Sequence, residues 1–159
     1  MSRRYPDSPM VGVGAVVFWE DAVILVRRNN EPGKGRWSLP GGLVELGESL
    51  EEALKREIME ELSVDVSVKG LLDIFERVIR DEERRIVYHY VVVDYWAEVI
   101  SGSPVAGSDA GEMMLLSGDE ILQTHQVSTE VTTVLRKAVR LREACCRSTQ
   151  QHSTVTRSN

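Results

Sequence analysis

The run from Gly42 to Val64, GLVELGESLEEALKREIMEELSV, constrains this chain more than any other part of its sequence. Within it, Glu57, Glu60 and Glu61 stand at positions i, i+3 and i+4. If the run is helical, these side chains project within an arc of roughly 100°. Like charges at such spacings repel by about 0.2–0.5 kcal/mol per pair, so a cation among them would stabilise the arrangement. Hard oxygen ligands favour Mg²⁺ or Mn²⁺ over zinc.

Helix signals surround these glutamates. Ser49 can act as the N-cap, and Glu52, three residues later, completes a capping box. Four apolar side chains recur at every fourth position and form one stripe of the helix: Leu50, Leu54, Ile58 and Leu62. Because Glu57 and Glu61 border that stripe, the pattern predicts a partly enclosed acidic site. Spacing alone leaves equal weight for an ordinary glutamate-rich surface helix, since Glu is a good helix former.

The same run resembles the Nudix box, the signature of the Nudix hydrolase family. The box reads glycine, five residues, glutamate, seven residues, Arg-Glu, an aliphatic residue, any residue, Glu-Glu, any residue, glycine and an aliphatic residue. The positions in register are Gly42, Glu48, Arg56, Glu57, Ile58, Glu60, Glu61 and Val64. The segment WSLPGG that leads into the box is also similar to the family. One position departs, because Ser63 stands where the family usually has a glycine just past the helix end. A serine in the left-handed conformation common there costs about 1 kcal/mol.

The resemblance implies hydrolysis of a nucleoside diphosphate linked to another group, with Mg²⁺ or Mn²⁺ as the cofactor. Such a metal would also separate an anionic substrate from a protein whose own net charge is −6. The implied metal ligands are four carboxylates of the box: Glu57, Glu60, Glu61 and Glu48. Glu48 would either join the other ligands or orient one of them. Arg56 would pair with a carboxylate of the box and fix its position, as residues behind a metal site do.

The remaining site candidates lie mostly outside the box helix. The Gly41–Gly42 pair allows a close approach of the backbone to substrate or a tight turn. The catalytic base is left open between a box glutamate and a carboxylate of a later loop, where Glu112 is preferred over Asp109. Arg27, at a strand end, can meet a phosphate with the fork geometry of its guanidinium. Tyr90 can stack on a nucleobase, although core packing is the more usual role for such a side chain.

Three functions are compatible with these residues. The first is a hydrolase for ADP-ribose or similar nucleotide sugars. Two parts of the chain resemble such enzymes: the segment WSLPGG and the long strand that contains His89-Tyr90 and Asp94-Tyr95. The second is a hydrolase that removes pyrophosphate from nucleoside triphosphates, as house-cleaning enzymes do. The third is a nucleotide-binding regulator without catalysis, and the intact box argues against it.

Composition limits the other expectations. The chain has 159 residues and an acidic balance, which fits one domain and disfavours a stable complex with nucleic acid. No apolar run approaches the ~20 residues of a membrane-spanning helix, and the start carries no signal-peptide core. Cys145 and Cys146 are adjacent and fit no zinc spacing, which predicts a reducing cytoplasm. The family resemblance also allows a homodimer.

The predicted elements follow the order strands, helix, strands, helix. The predicted strands cover residues 11–19, 22–26, 64–79 and 86–100, and a loop is predicted at 101–111. Capping patterns at 117–120 and 128–129 predict two further helices. The expected boundaries are a flexible tail at 1–9, the Nudix domain at 10–144 and a disordered tail at 145–159. The fold class is therefore α/β, and the resemblance implies an α/β/α sandwich around a central mixed sheet.

Overall fold

The computed structural model describes residues 3–107 and 110–154. Its strands are β1 (Met10–Trp19), β2 (Ala22–Arg28), β3 (Trp37–Ser38), β4 (Gly41–Leu43), β5 (Asp65–Arg80), β6 (Ile86–Ser101) and β7 (Ala110–Ser117). Its helices are α1 (Leu50–Leu62), α2 (Glu120–Gln123) and α3 (Thr129–Thr154). The four strands and three helices expected from the sequence are all present.

The strands form one mixed sheet. Its main path runs β3-β2-β1-β6-β5, with β4 pairing β1 and β7 pairing β2. β1 and β6 are parallel and place Gly14 opposite Asp94, whereas the other described pairs are antiparallel. Residues from Gly12 to Phe18 of β1 are all buried. A strand buried on both of its faces requires a layer of cover on each side, and helices provide both layers.

Helix α1 covers one face of the sheet, called here the α1 face. Its buried side chains pack against odd-numbered residues of the two parallel strands, among them Val13, Ala15 and Ala97. The predicted capping box is confirmed, because Ser49 Oγ accepts from the Glu52 N–H at 3.3 Å and Glu52 Oε2 accepts from the Ser49 N–H at 2.8 Å. The amphipathic stripe of the sequence is therefore the contact surface of this helix.

The C-terminus of α1 shows which conformation Ser63 adopts at the position where the box usually has a glycine. Ser63 has φ 57° and ψ 35°, which is the left-handed conformation, and its N–H donates to the Met59 carbonyl at 3.0 Å. A glycine would adopt this geometry without a steric penalty. Ser63 thus makes the same helix exit at the cost of local strain.

Helices α2 and α3 cover the opposite face, called here the α3 face. Val134, Leu135 and Ala138 of α3 pack against even-numbered residues of the sheet that include Val16 and Trp96. Ser128 caps α3 by accepting the Val131 N–H at 3.3 Å, in agreement with one of the two predicted caps. None of the helices described is both long enough and apolar enough to cross a membrane.

The chain termini and three strands differ from the sequence-based prediction, because β3, β4 and β7 were not predicted. The loop predicted at 101–111 ends at Ala110, where β7 begins and pairs with β2. The sequence pattern does not predict this strand, because Met113 to Leu116 are all apolar and show no alternation of apolar and polar side chains. Near the N-terminus, where a flexible tail was expected, the Tyr5 N–H donates to the Val87 carbonyl at 2.9 Å and its hydroxyl donates to Asp81 at 3.1 Å.

Helix α3 continues to Thr154, although residues 145–159 were expected to be disordered. The polar side chains of this segment bond to the helix backbone, since Ser148 Oγ and Thr149 Oγ1 donate to carbonyls four residues earlier, each at 3.1 Å. The prediction was wrong for 145–154 because a low content of apolar residues does not prevent the extension of a helix already nucleated by packing. Cys145 and Cys146 are exposed free thiols on this extension. Residues 155–159 lie outside the described residues.

Candidate active site

The turn between β3 and β4 lies directly against α1. Glu61 Oε2 accepts a hydrogen bond from the Gly41 N–H at 2.9 Å. Gly41 has φ +146°, and a Cβ at this position would collide with the Val13 carbonyl. A Cβ at Gly42 would collide with the carboxylate of Glu57. Two glycines in succession therefore let the backbone of β4 touch two carboxylates of the box.

Arg56 joins the box helix to the loop that precedes it. Its Nε and Nη2 donate to Glu48 Oε1 and Oε2 at 2.6 and 2.9 Å, which is a bidentate pair. Its Nη1 donates to Glu57 Oε1 at 2.9 Å, and its Nη2 also donates to the Leu43 carbonyl at 3.0 Å. The planar guanidinium has donors enough for all of these partners. Arg56 thus fixes the position of Glu57 relative to β4.

This arrangement also fixes the charge state of its members. Hydrogen bonds from Arg56, and secondarily one from the Glu45 N–H, lower the pKa of Glu48 to about 2. The pKa of Arg56 is raised in turn, chiefly by its hydrogen bonds to Glu48. Both oxygens of Glu48 accept hydrogen bonds from Arg56, so the structure favours the orienting role for Glu48 over direct metal ligation.

Glu57, Glu60 and Glu61 are the carboxylates of this site that could serve as oxygen ligands of a metal. The Glu57 side chain is 17% exposed, and the Glu60 side chain, 3.6 Å from Arg56 Nη1, is 47% exposed. Among residues 3–107 and 110–154, no three acidic, histidine or cysteine side chains already converge into a metal cage. Mg²⁺, however, usually takes one or two carboxylates and completes its shell with waters and substrate phosphates. The donor set therefore fits Mg²⁺ or Mn²⁺ in kind.

Arg27 and Glu112 form a separate charged pair between β2 and β7. Arg27 Nη1 donates to Glu112 Oε1 at 3.0 Å, and Arg27 Nε donates to the Gly35 carbonyl at 3.0 Å. The two side chains are 45% and 58% exposed. Their polar contacts reach each other and the loop backbone but not the box glutamates. Among the described residues Glu112 makes no hydrogen bond or ion pair with the carboxylates of α1. Asp109, the alternative base, lies outside the described residues.

Tyr90 lies on the α3 face of β6. Its ring stacks against that of Tyr88, with centroids 6.0 Å apart and planes inclined by 14°. Burial raises the pKa of its hydroxyl. Arg77 of β5 lies directly across the ladder from it. One face of the Tyr90 ring is thus covered by Tyr88.

Asp94 is a buried carboxylate that the sequence analysis does not assign to the site. It is 5% exposed and is the one charged or polar side chain among the buried residues of the described chain. Burial, and secondarily the charge of Asp73 across the ladder, raises its pKa to about 6. A single carboxylate within the apolar run of β6 is the sequence signal that could have identified it.

The mixed sheet between two helical layers and the glutamates held against a double-glycine turn define an α/β domain of the Nudix class. The family model described as NUDIX domain matches residues 8–136. The chain belongs to the Nudix family, and the resemblance drawn from the box is confirmed.

Individual relatives agree with this assignment. An ADP-ribose pyrophosphatase of Methanocaldococcus jannaschii is 38% identical over 104 residues, which cover 65% of this chain and 59% of that protein. A putative 8-oxo-dGTP diphosphatase of Bacillus subtilis is 35% identical over 66 residues, 42% of each chain. A MutT NUDIX hydrolase of Burkholderia pseudomallei superposes with a TM-score of 0.68 at 27% identity, covering 82% of this chain and 98% of that one. The chain thus spans less than two thirds of the curated relatives at the head of this comparison.

Proposed function

We propose that this protein is a divalent-metal-dependent hydrolase that cleaves the pyrophosphate linkage of a nucleoside diphosphate joined to a sugar, with ADP-ribose as the best candidate. The observation that carries the proposal is the contact of the Gly41–Gly42 turn with Glu57 and Glu61, while Arg56 holds Glu57 from the other side. Carboxylates kept close to one another and to an accessible backbone are suited to bind a metal–phosphate complex.

Each residue of this cluster has a separate task in the proposal. Glu57, Glu60 and Glu61 hold Mg²⁺ or Mn²⁺, which when bound polarises the phosphate and helps to ionise a water. Arg56 keeps Glu57 in position, and Glu48 keeps Arg56 in position. Gly41 and Gly42 let the backbone of β4 come close to the carboxylates, because a Cβ at Gly42 would collide with Glu57 and one at Gly41 with the Val13 carbonyl. The protein then contributes mainly positioning and charge stabilisation, as phosphoryl chemistry requires.

The candidates for the catalytic base are Glu112 and the glutamates of the box. Glu112 is paired with Arg27, whereas the carboxylates of α1 lie where the phosphate would bind. A glutamate of the box is therefore the better candidate for positioning the attacking water. Arg27 is available for a phosphate or sugar once its pairing with Glu112 opens.

The preference for a nucleotide sugar rests on the relative from M. jannaschii, whose name gives ADP-ribose as its substrate. The second candidate, removal of pyrophosphate from a nucleoside triphosphate, is supported by the B. subtilis relative named for 8-oxo-dGTP. Products separate the two. ADP-ribose hydrolysis gives two monophosphates, whereas triphosphate hydrolysis gives one monophosphate and pyrophosphate. We also infer a reducing compartment for the protein, since both of its cysteines are exposed free thiols.

The experiment that tests the proposal is product analysis on a panel of ADP-ribose, other nucleotide sugars, dinucleoside polyphosphates and (d)NTPs, with and without Mg²⁺ or Mn²⁺. Glu61→Gln should lower metal-dependent turnover by about 100-fold or more. Glu51→Gln is the matched control, because Glu51 lies on the same helix and pairs only with Lys55, at 3.9 Å. Full activity of a Glu57→Gln/Glu61→Gln double variant would contradict the metal assignment. No turnover of any substrate by folded, metal-loaded protein would favour the nucleotide-binding regulator.

A further inference from the structure

Two glycines and a carboxylate lie side by side on the α3 face of the sheet. Gly12 and Gly14 of β1 lie opposite Val92 and Asp94 of β6 in the parallel ladder. The carboxylate of Asp94 leans over Gly14, because a Cβ on that glycine would lie 2.5 Å from Asp94 Oδ1. Any other residue at position 14 would displace the carboxylate. The absence of a side chain at Gly14 therefore allows the Asp94 carboxylate to take this position.

Asp94 is the one buried acidic side chain among the described residues, and it has no protein partner there. Its side chain is more than nine-tenths buried. No hydrogen bond or ion pair to it occurs within residues 3–107 and 110–154, in contrast to the arginine-bound glutamates of the box. Every fully enclosed polar side-chain atom of the described chain does have a partner. The oxygens of Asp94 consequently keep a small opening to solvent.

This carboxylate lies within reach of the proposed pyrophosphate site. Gly41 bonds Glu61 and pairs with Gly14 across β4 and β1, and Gly14 in turn lies beside Asp94 across β1 and β6. Neighbouring strands are about 4.8 Å apart, so two steps place Asp94 about 10 Å from the turn that touches the box. A nucleotide spans a distance of this order between its phosphates and its sugar or base. Asp94 lies on the other face of the sheet from the box carboxylates, so the sugar or base of such a substrate would reach it past the turn of Gly41 and Gly42.

A buried acidic group without a partner is rare, because its desolvation is not repaid within the protein. A structural aspartate in this position would be expected to accept a backbone or side-chain donor. Asp73, the charged side chain opposite it on β5, is also acidic and makes ionisation of Asp94 harder. Within residues 3–107 and 110–154 no group donates to Asp94, so donors on a ligand would satisfy it.

We propose that Asp94 is a specificity-determining residue that accepts hydrogen bonds from two neighbouring donors on the sugar or base of the substrate. The proposal rests on the proposed function. Two sources carry such a donor pair: the vicinal diol of a ribose, and the N1–H and 2-amino groups of guanine. Both fit a carboxylate, which has two oxygens and accepts a pair of donors at once.

The test measures equilibrium binding rather than hydrolysis, so that it remains informative if the proposed reaction is wrong. Calorimetry or NMR titration at pH 8 compares three pairs of ligands that contain no pyrophosphate. AMP and 2′-deoxy-AMP, and ribose 5-phosphate and 2-deoxyribose 5-phosphate, differ by one diol hydroxyl. GMP and IMP differ by the 2-amino group. The proteins are the wild type, Asp94→Asn, and the matched control Asp73→Asn, which removes the same charge from an exposed position one strand away.

The wild type should bind the donor-bearing member of one pair about 10–100-fold more tightly than its analogue, the range expected for a hydrogen bond to a charged group. Asp94→Asn should reduce this ratio to below about threefold, and Asp73→Asn should preserve it. The pair that responds identifies the source of the donors. The proposal is overturned if the wild type discriminates within no pair, if it binds none of the ligands, or if the discrimination survives in Asp94→Asn. Loss of hydrolysis on the ADP-ribose panel with intact discrimination here would instead refute only the proposed reaction.

Discussion

Replacing Asp94 by asparagine should make this protein more stable at neutral pH, even though it removes a native side chain. Asp94 is 5% exposed and faces another acidic residue across the ladder. Its ionised form is therefore poorly solvated in the folded chain and well solvated in the unfolded chain. An asparagine has nearly the same shape but does not ionise, so the variant avoids this penalty.

The size of the effect follows from the shift of the Asp94 pKa, from 3.8 to about 6. Each unit corresponds to about 1.4 kcal/mol, so ionisation in the folded state destabilises it by about 3 kcal/mol. The pKa is raised, which means that the folded state holds the proton more tightly than the unfolded state does. The free energy of unfolding contributed by this group is therefore highest below about pH 4 and falls as the pH rises through about 6.

Urea denaturation at pH 7.5 and at pH 4 measures this directly. Asp94→Asn should exceed the wild type by about 3 kcal/mol at the higher pH and lie within about 1 kcal/mol of it at the lower one. Asp73→Asn, at an exposed position, should change stability by less than about 0.5 kcal/mol at either pH. The reasoning is refuted if Asp94→Asn is less stable than the wild type at pH 7.5, or if the difference between the two proteins is the same at both pH values.

Three further substitutions test the geometry of the box and its surroundings. Ser63→Gly should raise the free energy of unfolding by about 1 kcal/mol without changing turnover, because φ 57° no longer strains a side chain; an unchanged denaturation midpoint would argue against strain at this helix end. Arg56→Lys should lower kcat/KM by about 10–100-fold in steady-state assays, since lysine cannot bond Glu48 and Glu57 together, and wild-type kinetics would show that the pairing is dispensable. Glu112→Gln should lower kcat by less than about tenfold, because Glu112 is paired with Arg27; a loss of about 100-fold or more would identify Glu112 as the base after all.

The sequence predicts the part of the site that lies on a single helix. The capping box, the four-residue spacing of apolar side chains and the family signature place Glu57, Glu60, Glu61 and Arg56 together, because positions on one helix determine one another's direction. The long strands are equally predictable from their apolar patterns. The hydrogen bonds between Arg56 and Glu48 could be predicted only in part, since they depend on the path of the loop between β4 and α1.

The parts that escape prediction depend on how strands are arranged in the sheet. β7 carries four consecutive apolar residues, so no alternation indicates which of its faces is buried. Glu112 was preferred as the catalytic base, and its ion pair with Arg27 depends on the pairing of β2 with β7. Asp94 was overlooked for the same reason. Its significance appears only when β6 lies parallel to β1 and brings a glycine beside it.

The carboxylates on the two faces of the sheet differ in their hydrogen bonding. This difference fits a role in catalysis for the α1 face and a role in substrate selection for the α3 face. On the α1 face, Glu57 and Glu61, which we propose as metal ligands, are positioned by Arg56 and by the backbone N–H of Gly41. These groups are held in place before any ligand arrives, as catalysis requires. On the α3 face, Asp94 is held in place by burial but is left without a donor. A substrate that donates to Asp94 removes the cost of burying an unpaired carboxylate. An analogue lacking the donor leaves the carboxylate unpaired and therefore binds more weakly.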